Sequence, residues 1–148
     1  VTDAELLADM NRVVAPTAVL LGQEILALDI AAGTSRVRFL PRADCHNSRG
    51  TVQGGMVVAM LDDASYYAAC AKAGQRISMP SIEIRTSFLA PAPGGVPLYA
   101  EGRCLKLGRR VAFLEADLFD EAGTLLARLS TTGVPMPLAD NLKMVERT

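Results

Sequence analysis

The sequence predicts an α+β fold in which an antiparallel sheet of about six strands wraps one long central helix, with a short helix ahead of it. Three observations predict it. Residues 54–72 (GGMVVAMLDDASYYAACAK) are apolar on nearly every face of a helix, which marks a helix enclosed by other structure. After Pro80 come four strand-like runs, separated by PAPGG, LGRR and DEAG, each rich in turn residues. Ahead of the helix, two alternating runs flank Ala-Gly-Thr at 32–34, a hairpin signal. A sheet large enough to curl around the helix accounts for its missing polar face.

Taken in order, Thr2 or Asp3 caps a first helix reaching about Val13, with Leu6, Leu7, Met10, Val13 and Val14 on one face and Pro16 ending it. Strands follow at 23–30 and 35–40, the second placing Arg36 and Arg38 on the wet face. Residues 41–53 form a loop that holds Asn47, Gly50 and His46, the only histidine. The central helix starts at Gly54 or Gly55 and stops at Gly74, a natural C-terminal cap. Strands are expected at 81–89, 96–107, 110–120 and 124–134, and the tail after Pro137 is expected to be loose or a short surface turn.

The chain of 148 residues is long enough for a core, and a single domain spanning 1–148 is expected. Half of its residues are hydrophobic, an excess that suggests apolar surface hidden against a second copy. The net charge of -1 gives no basic field for nucleic acid. Cys45, Cys70 and Cys104 form no CxxC pair, and with one histidine they offer no metal site, so reduced thiols are expected. The N-terminus lacks the pattern of a signal peptide, and Asp62 and Asp63 interrupt the longest apolar run. No membrane span and a cytoplasmic location are expected.

The chemistry concentrates in 46–67. Gly54 and Gly55 let a ligand approach the backbone, and free N–H groups in a helix's first turn suit an anion or developing oxyanion; close packing explains two glycines equally well. Asp62 and Asp63 are costly in a buried helix unless paired, and periodicity does not separate them. One supplies a base or nucleophile, or one reaches water at a subunit interface while the other is held by a backbone amide or a Tyr hydroxyl. Asn47 is a side-chain donor or a turn residue. Arg109 and Arg110 flank a Gly108 turn, either as a solvated hairpin or as a site for phosphates. Met56, Met60, Tyr66, Tyr67 and Phe88 fit an acyl pocket or the core.

Asn47, Gly50, Gln53, Gly54 and Gly55, followed by Leu61, Asp62, Asp63 and Ala64, resemble the signature of hotdog-fold acyl-CoA thioesterases of the PaaI-like, phenylacetic-acid-degradation type. SIEIRTSFLAPA at 81–92, GRRVAF at 108–113 and DEAGTLLA at 120–127 extend the likeness over roughly 20–135. The resemblance implies hydrolysis of acyl-CoA thioesters without a cofactor, coenzyme A being part of the substrate. It puts the catalytic carboxylate on Asp62, eight residues after Gly54, and the oxyanion site on the Gly54 N–H, with Gly55 and Asn47. Ser81 matches a hydroxyl that positions water or the carboxylate. Gln53, Arg109, Arg110 and Tyr66 fall to substrate binding. The resemblance also implies a homodimer whose sites lie between subunits, and a dimer of dimers. Many members carry His where this chain has Gln53, which hydrogen-bonds but does not titrate near neutrality. Two alternatives are an acyl-CoA binding protein with little catalysis and a hotdog enoyl-CoA hydratase; the latter's acid-base chemistry calls for a suitably placed histidine.

Overall fold

A computed structural model describes residues 1–147. Helix α1 (Asp3–Arg12) opens with a capping box, in which Glu5 N–H donates to Thr2 Oγ1 at 3.2 Å and Thr2 N–H donates to Glu5 Oε2 at 2.8 Å. It buries Leu6 and Met10. A short strand β1 (Val13–Val14) intervenes before α2 (Pro16–Leu20). Pro16 therefore does not end the first helix; it occupies the first turn of the next, where its missing N–H forfeits no bond and its φ suits a helix start.

The hairpin is β2 (Glu24–Asp29) and β3 (Thr34–Phe39). Its alternation works as expected, since Ser35, Val37 and Phe39 are buried while Arg36 is exposed. A single 3₁₀ turn, Ala43–Cys45, leads through the loop to α3 (Gly54–Ala73), which Gly74 closes at φ +67°. Then come β4 (Ser81–Phe88), β5 (Leu98–Leu107), β6 (Ala112–Phe119) and β7 (Leu125–Gly133). The tail is not loose throughout: β8 (Val145–Glu146) pairs with β1 and forms a two-stranded ribbon.

The main sheet is antiparallel with order β2-β3-β5-β6-β7-β4. It wraps α3, whose Met60, Leu61, Ala64 and Ala68 are wholly buried, each large side chain contributing roughly 1.5–3 kcal/mol of transfer free energy. The backbone of α3 approaches the sheet closely at Gly102 in β5. A Cβ there would stand 2.2 Å from Ala64 O, and Ser35 Oγ donates to the same carbonyl at 2.7 Å.

The outer strands β2 and β4 are the free edges, and β4 is exposed along nearly its whole length. Ile82 is 62% exposed and Phe88 57%, because α3 reaches only the margin of that strand. On the outer face, Asp117 is buried between Arg128, at 2.6 Å, and Arg103, at 3.2 Å. Burial alone would raise its carboxyl, but the two guanidinium groups outweigh this and hold it below the usual carboxylate range.

Candidate active site

Asn47 builds the approach to α3. Its Oδ1 accepts from the N–H groups of Arg49 at 2.9 Å and Thr51 at 3.3 Å, and its Nδ2 donates to Thr51 Oγ1 at 2.8 Å. Val52 N–H reaches Ala92 O at 2.9 Å, which ties this loop to the segment after β4. The expected turn role and the expected place beside the helix are thus both present in Asn47. One of its amide hydrogens serves Thr51, and the other has no partner among the described residues.

Gln53 is the N-cap of α3 but makes no side-chain capping bond. Its carbonyl accepts from Met56 and Val57, which leaves the N–H groups of Gly54 and Gly55 without an acceptor among the described residues. An apolar cavity of about 330 Å³ opens beside them, lined by Asn47, Gly54, Val57, Phe88 and Leu126 among others. The Phe88 ring lies against Gly54, its Cζ 3.4 Å from where a Cβ would stand.

Two turns along α3, the aspartates part company. Asp62 points to the β4 edge, where Ser81 Oγ donates to Oδ1 at 3.4 Å, long for such a bond. Burial pushes the Asp62 carboxyl up, and the Ser81 hydroxyl pulls it part of the way back. Asp63 points to the β2 edge, where Gln23 Nε2 donates to Oδ2 at 2.7 Å. Burial, reinforced by the charge of Asp62, raises Asp63 to about 7, and the Gln23 bond offsets part of this. Gln23 is itself buried, and its Oε1 accepts from Tyr67 Oη at 2.6 Å. Sequence reasoning misses Gln23, since nothing local marks a buried glutamine ahead of a strand.

The other candidates lie apart. Tyr66 Oη donates to Ile77 O at 2.8 Å, away from the helix N-terminus, and Met60 and Tyr67 are core residues. Arg109 and Arg110 are exposed on the turn between β5 and β6. The register Ala112–Gly133–Ser81 puts that turn at the same end of the sheet as Ser81. His46 packs against Gly94, its Nε2 enclosed and unpartnered among the described residues. All three cysteines are buried and unpaired, and burial pushes each thiol up, so none has the character of a nucleophile. Among the described residues, no three His, Cys, Asp or Glu side chains group to hold a metal ion, and no helix is long and apolar enough to cross a membrane.

A long helix wrapped by a six-stranded antiparallel sheet, with a short helix ahead of it, is the hotdog fold. The family model of the thioesterase superfamily matches residues 49–127, just over half of the chain, and the chain belongs to that superfamily, close to its PaaI-like, phenylacetic-acid-degradation members. A phenylacetic acid degradation-related protein from Ralstonia eutropha JMP134 is 32% identical, with TM-score 0.75 over 82% of this chain and 90% of its own. A point mutant of the phenylacetic acid degradation protein PaaI from Thermus thermophilus is 27% identical, with TM-score 0.70 over 81% of this chain and 98% of its own. The PaaI protein of E. coli, at 18% identity, shares the fold, with TM-score 0.76 over 93% and 94%. No curated protein matches the sequence significantly.

Proposed function

We propose that the protein hydrolyses acyl-CoA thioesters in a site completed by two copies of the chain. The observation that carries this reading is the free Gly54 N–H at the mouth of an apolar cavity, on the same helix as Asp62. The N–H stabilises the oxyanion formed as the carbonyl is attacked, assisted by Gly55 and Asn47. Asp62 activates water or attacks the carbonyl directly, and Ser81 holds the carboxylate.

Within one copy these groups do not meet. Eight residues of helix separate Gly54 from Asp62 by roughly 12 Å, too far for both to act on one carbonyl. Strand β4 spans the same interval, with Ser81 beside Asp62 at one end and Phe88 against Gly54 at the other. Its outer edge is unpaired and it exposes Ile82, Ile84 and Phe88, an arrangement that natural proteins usually cover. Antiparallel pairing of two such edges about a two-fold axis sets the Ser81 end of one strand beside the Phe88 end of the other. Each Asp62 then faces the other copy's Gly54. The exposed Gln53, Arg109 and Arg110 are the polar groups for the coenzyme A moiety, the arginines for its phosphates.

The test is release of thiol from a panel of acyl-CoAs by wild type and Asp62→Asn. A loss of about 100-fold or more in kcat is expected for the variant. Equal rates would remove Asp62 from the mechanism, and tight binding of acyl-CoA without release by wild type would favour a binding protein.

A further inference from the structure

Resting on that thioesterase reading, we propose that Phe88 determines acyl-group selectivity: its ring is the adjustable wall of the cavity into which the acyl group extends from the carbonyl held at Gly54. The walls of this cavity are unequally supported. Val52, Val57, Leu126 and Ala127 are each no more than 4% exposed and belong to the core that α3 and β7 form. Interiors of this kind are close-packed and yield little. Phe88 ends the edge strand, is 57% exposed in a single copy and faces the small Ala127 across the strands; Leu89, the next lining residue, is 58% exposed, but Phe88 is the one set against Gly54. No large side chain opposite it on β7 fixes the ring. It nevertheless touches Gly54, so it stands where an acyl chain leaves the reacting carbon.

The lining also states what chemistry the wall admits. Asn47 and Thr51 are its polar side chains, both engaged with one another, and no Lys, Arg, Asp or Glu lines the cavity among the described residues. An acyl group ending in a second carboxylate would lose its hydration with nothing to replace it. A volume of about 330 Å³ lies near the lower end of ligand sites, so an uncharged acyl group of intermediate size fits and a longer one requires the ring to move. Apolar pockets commonly discriminate by about tenfold or more per methylene. One aromatic side chain is therefore enough to set a preference.

The experiment measures kcat/KM of the full chain and of Phe88→Ala and Phe88→Trp on butanoyl-, octanoyl- and succinyl-CoA, followed as released thiol. Phe88 lies on the edge that pairs with the second copy in the proposed site, so the Tm and the dimer mass of both variants are checked first, and the effect is read within each protein as a ratio of two substrates. The octanoyl-to-butanoyl ratio rises about tenfold in Phe88→Ala and falls about tenfold in Phe88→Trp, and succinyl-CoA is poor for all three proteins. Opposite shifts from a smaller and a larger side chain do not arise from general damage. Equal changes on butanoyl- and octanoyl-CoA would assign the ring to the coenzyme arm or to the strand alone, and overturn the proposal. So would wild-type hydrolysis of succinyl-CoA as fast as butanoyl-CoA. If wild type releases no thiol from any ester, the thioesterase reading fails separately, and calorimetric affinities of the three proteins for octanoyl- and butanoyl-CoA read the same ratio.

Discussion

Gln23 clamps Asp63: its amide nitrogen donates to Asp63 Oδ2 at 2.7 Å while its amide oxygen accepts from Tyr67. Burial first and the Asp62 charge second raise the Asp63 carboxyl from 3.8 to about 7, and the clamp offsets only part of this because a donated bond favours the ionised form. A raised folded-state value means that this group's stabilising contribution is complete below 3.8 and is lost as pH rises through about 7. Wild-type Tm is expected to decline across that window. Asp63→Asn still accepts the Gln23 bond and never ionises, so it should flatten the decline and raise Tm at pH 8 by roughly 5 °C. Calorimetric scans from pH 4 to pH 8 check this, and parallel curves for the two proteins would refute it.

The Ser81 hydroxyl acts on Asp62 in the opposite sense to burial, because it donates to the ionised carboxylate and so favours it. Ser81→Ala therefore leaves Asp62 higher than in wild type. If the reaction needs ionised Asp62, the acid limb of the kcat/KM profile moves to higher pH. A profile that only scales downward would give Ser81 a role in placing water instead.

Gly102 is the point at which β5 and α3 touch backbone to backbone. Alanine there would bring its Cβ to 2.2 Å from Ala64 O, which is main chain and does not yield like a side-chain tip. Gly102→Ala is expected to lose about 3 kcal/mol of stability, the upper range for overpacking. Urea denaturation measures it; a change under about 1 kcal/mol would mean that helix and sheet slide apart easily.

Much of this architecture is legible in the sequence because it is locally encoded. Turn residues mark every break among the last four strands, alternation marks 35–40, and Gly74 stops α3 where a left-handed residue is required. What escapes depends on distant partners. Val145–Glu146 pairs with Val13–Val14 across almost the whole chain, and two residues carry no periodicity of their own. Pro16 signals a helix start as readily as a stop, and only the chain around it decides. Asp62 and Asp63 look alike along the sequence because both sheet edges are open; the helix aims one at Ser81 and the other at Gln23, and that difference is purely tertiary. The exposure of β4 is equally hidden, since alternation shows that a strand has two faces but not how far a helix covers them.

The division of labour between Gly54 and Asp62 is open to a stringent test. Gly54 is the first residue of α3, and Gln53 before it has φ -58° and ψ 138°, a conformation that a following proline accepts. Gly54→Pro thus deletes the oxyanion N–H with little strain on the helix, and a loss of about 100- to 1,000-fold in kcat with retained Tm is expected. Asp62→Asn deletes the carboxylate. If each site takes Asp62 from one copy and Gly54 from the other, a mixed dimer of the two variants has one site with both defects and one with neither. Random assembly from equal amounts makes half the dimers mixed, so activity should return to about a quarter of wild type. Co-refolding the variants and measuring thiol release decides the matter: a site confined to one copy predicts no recovery at any mixing ratio.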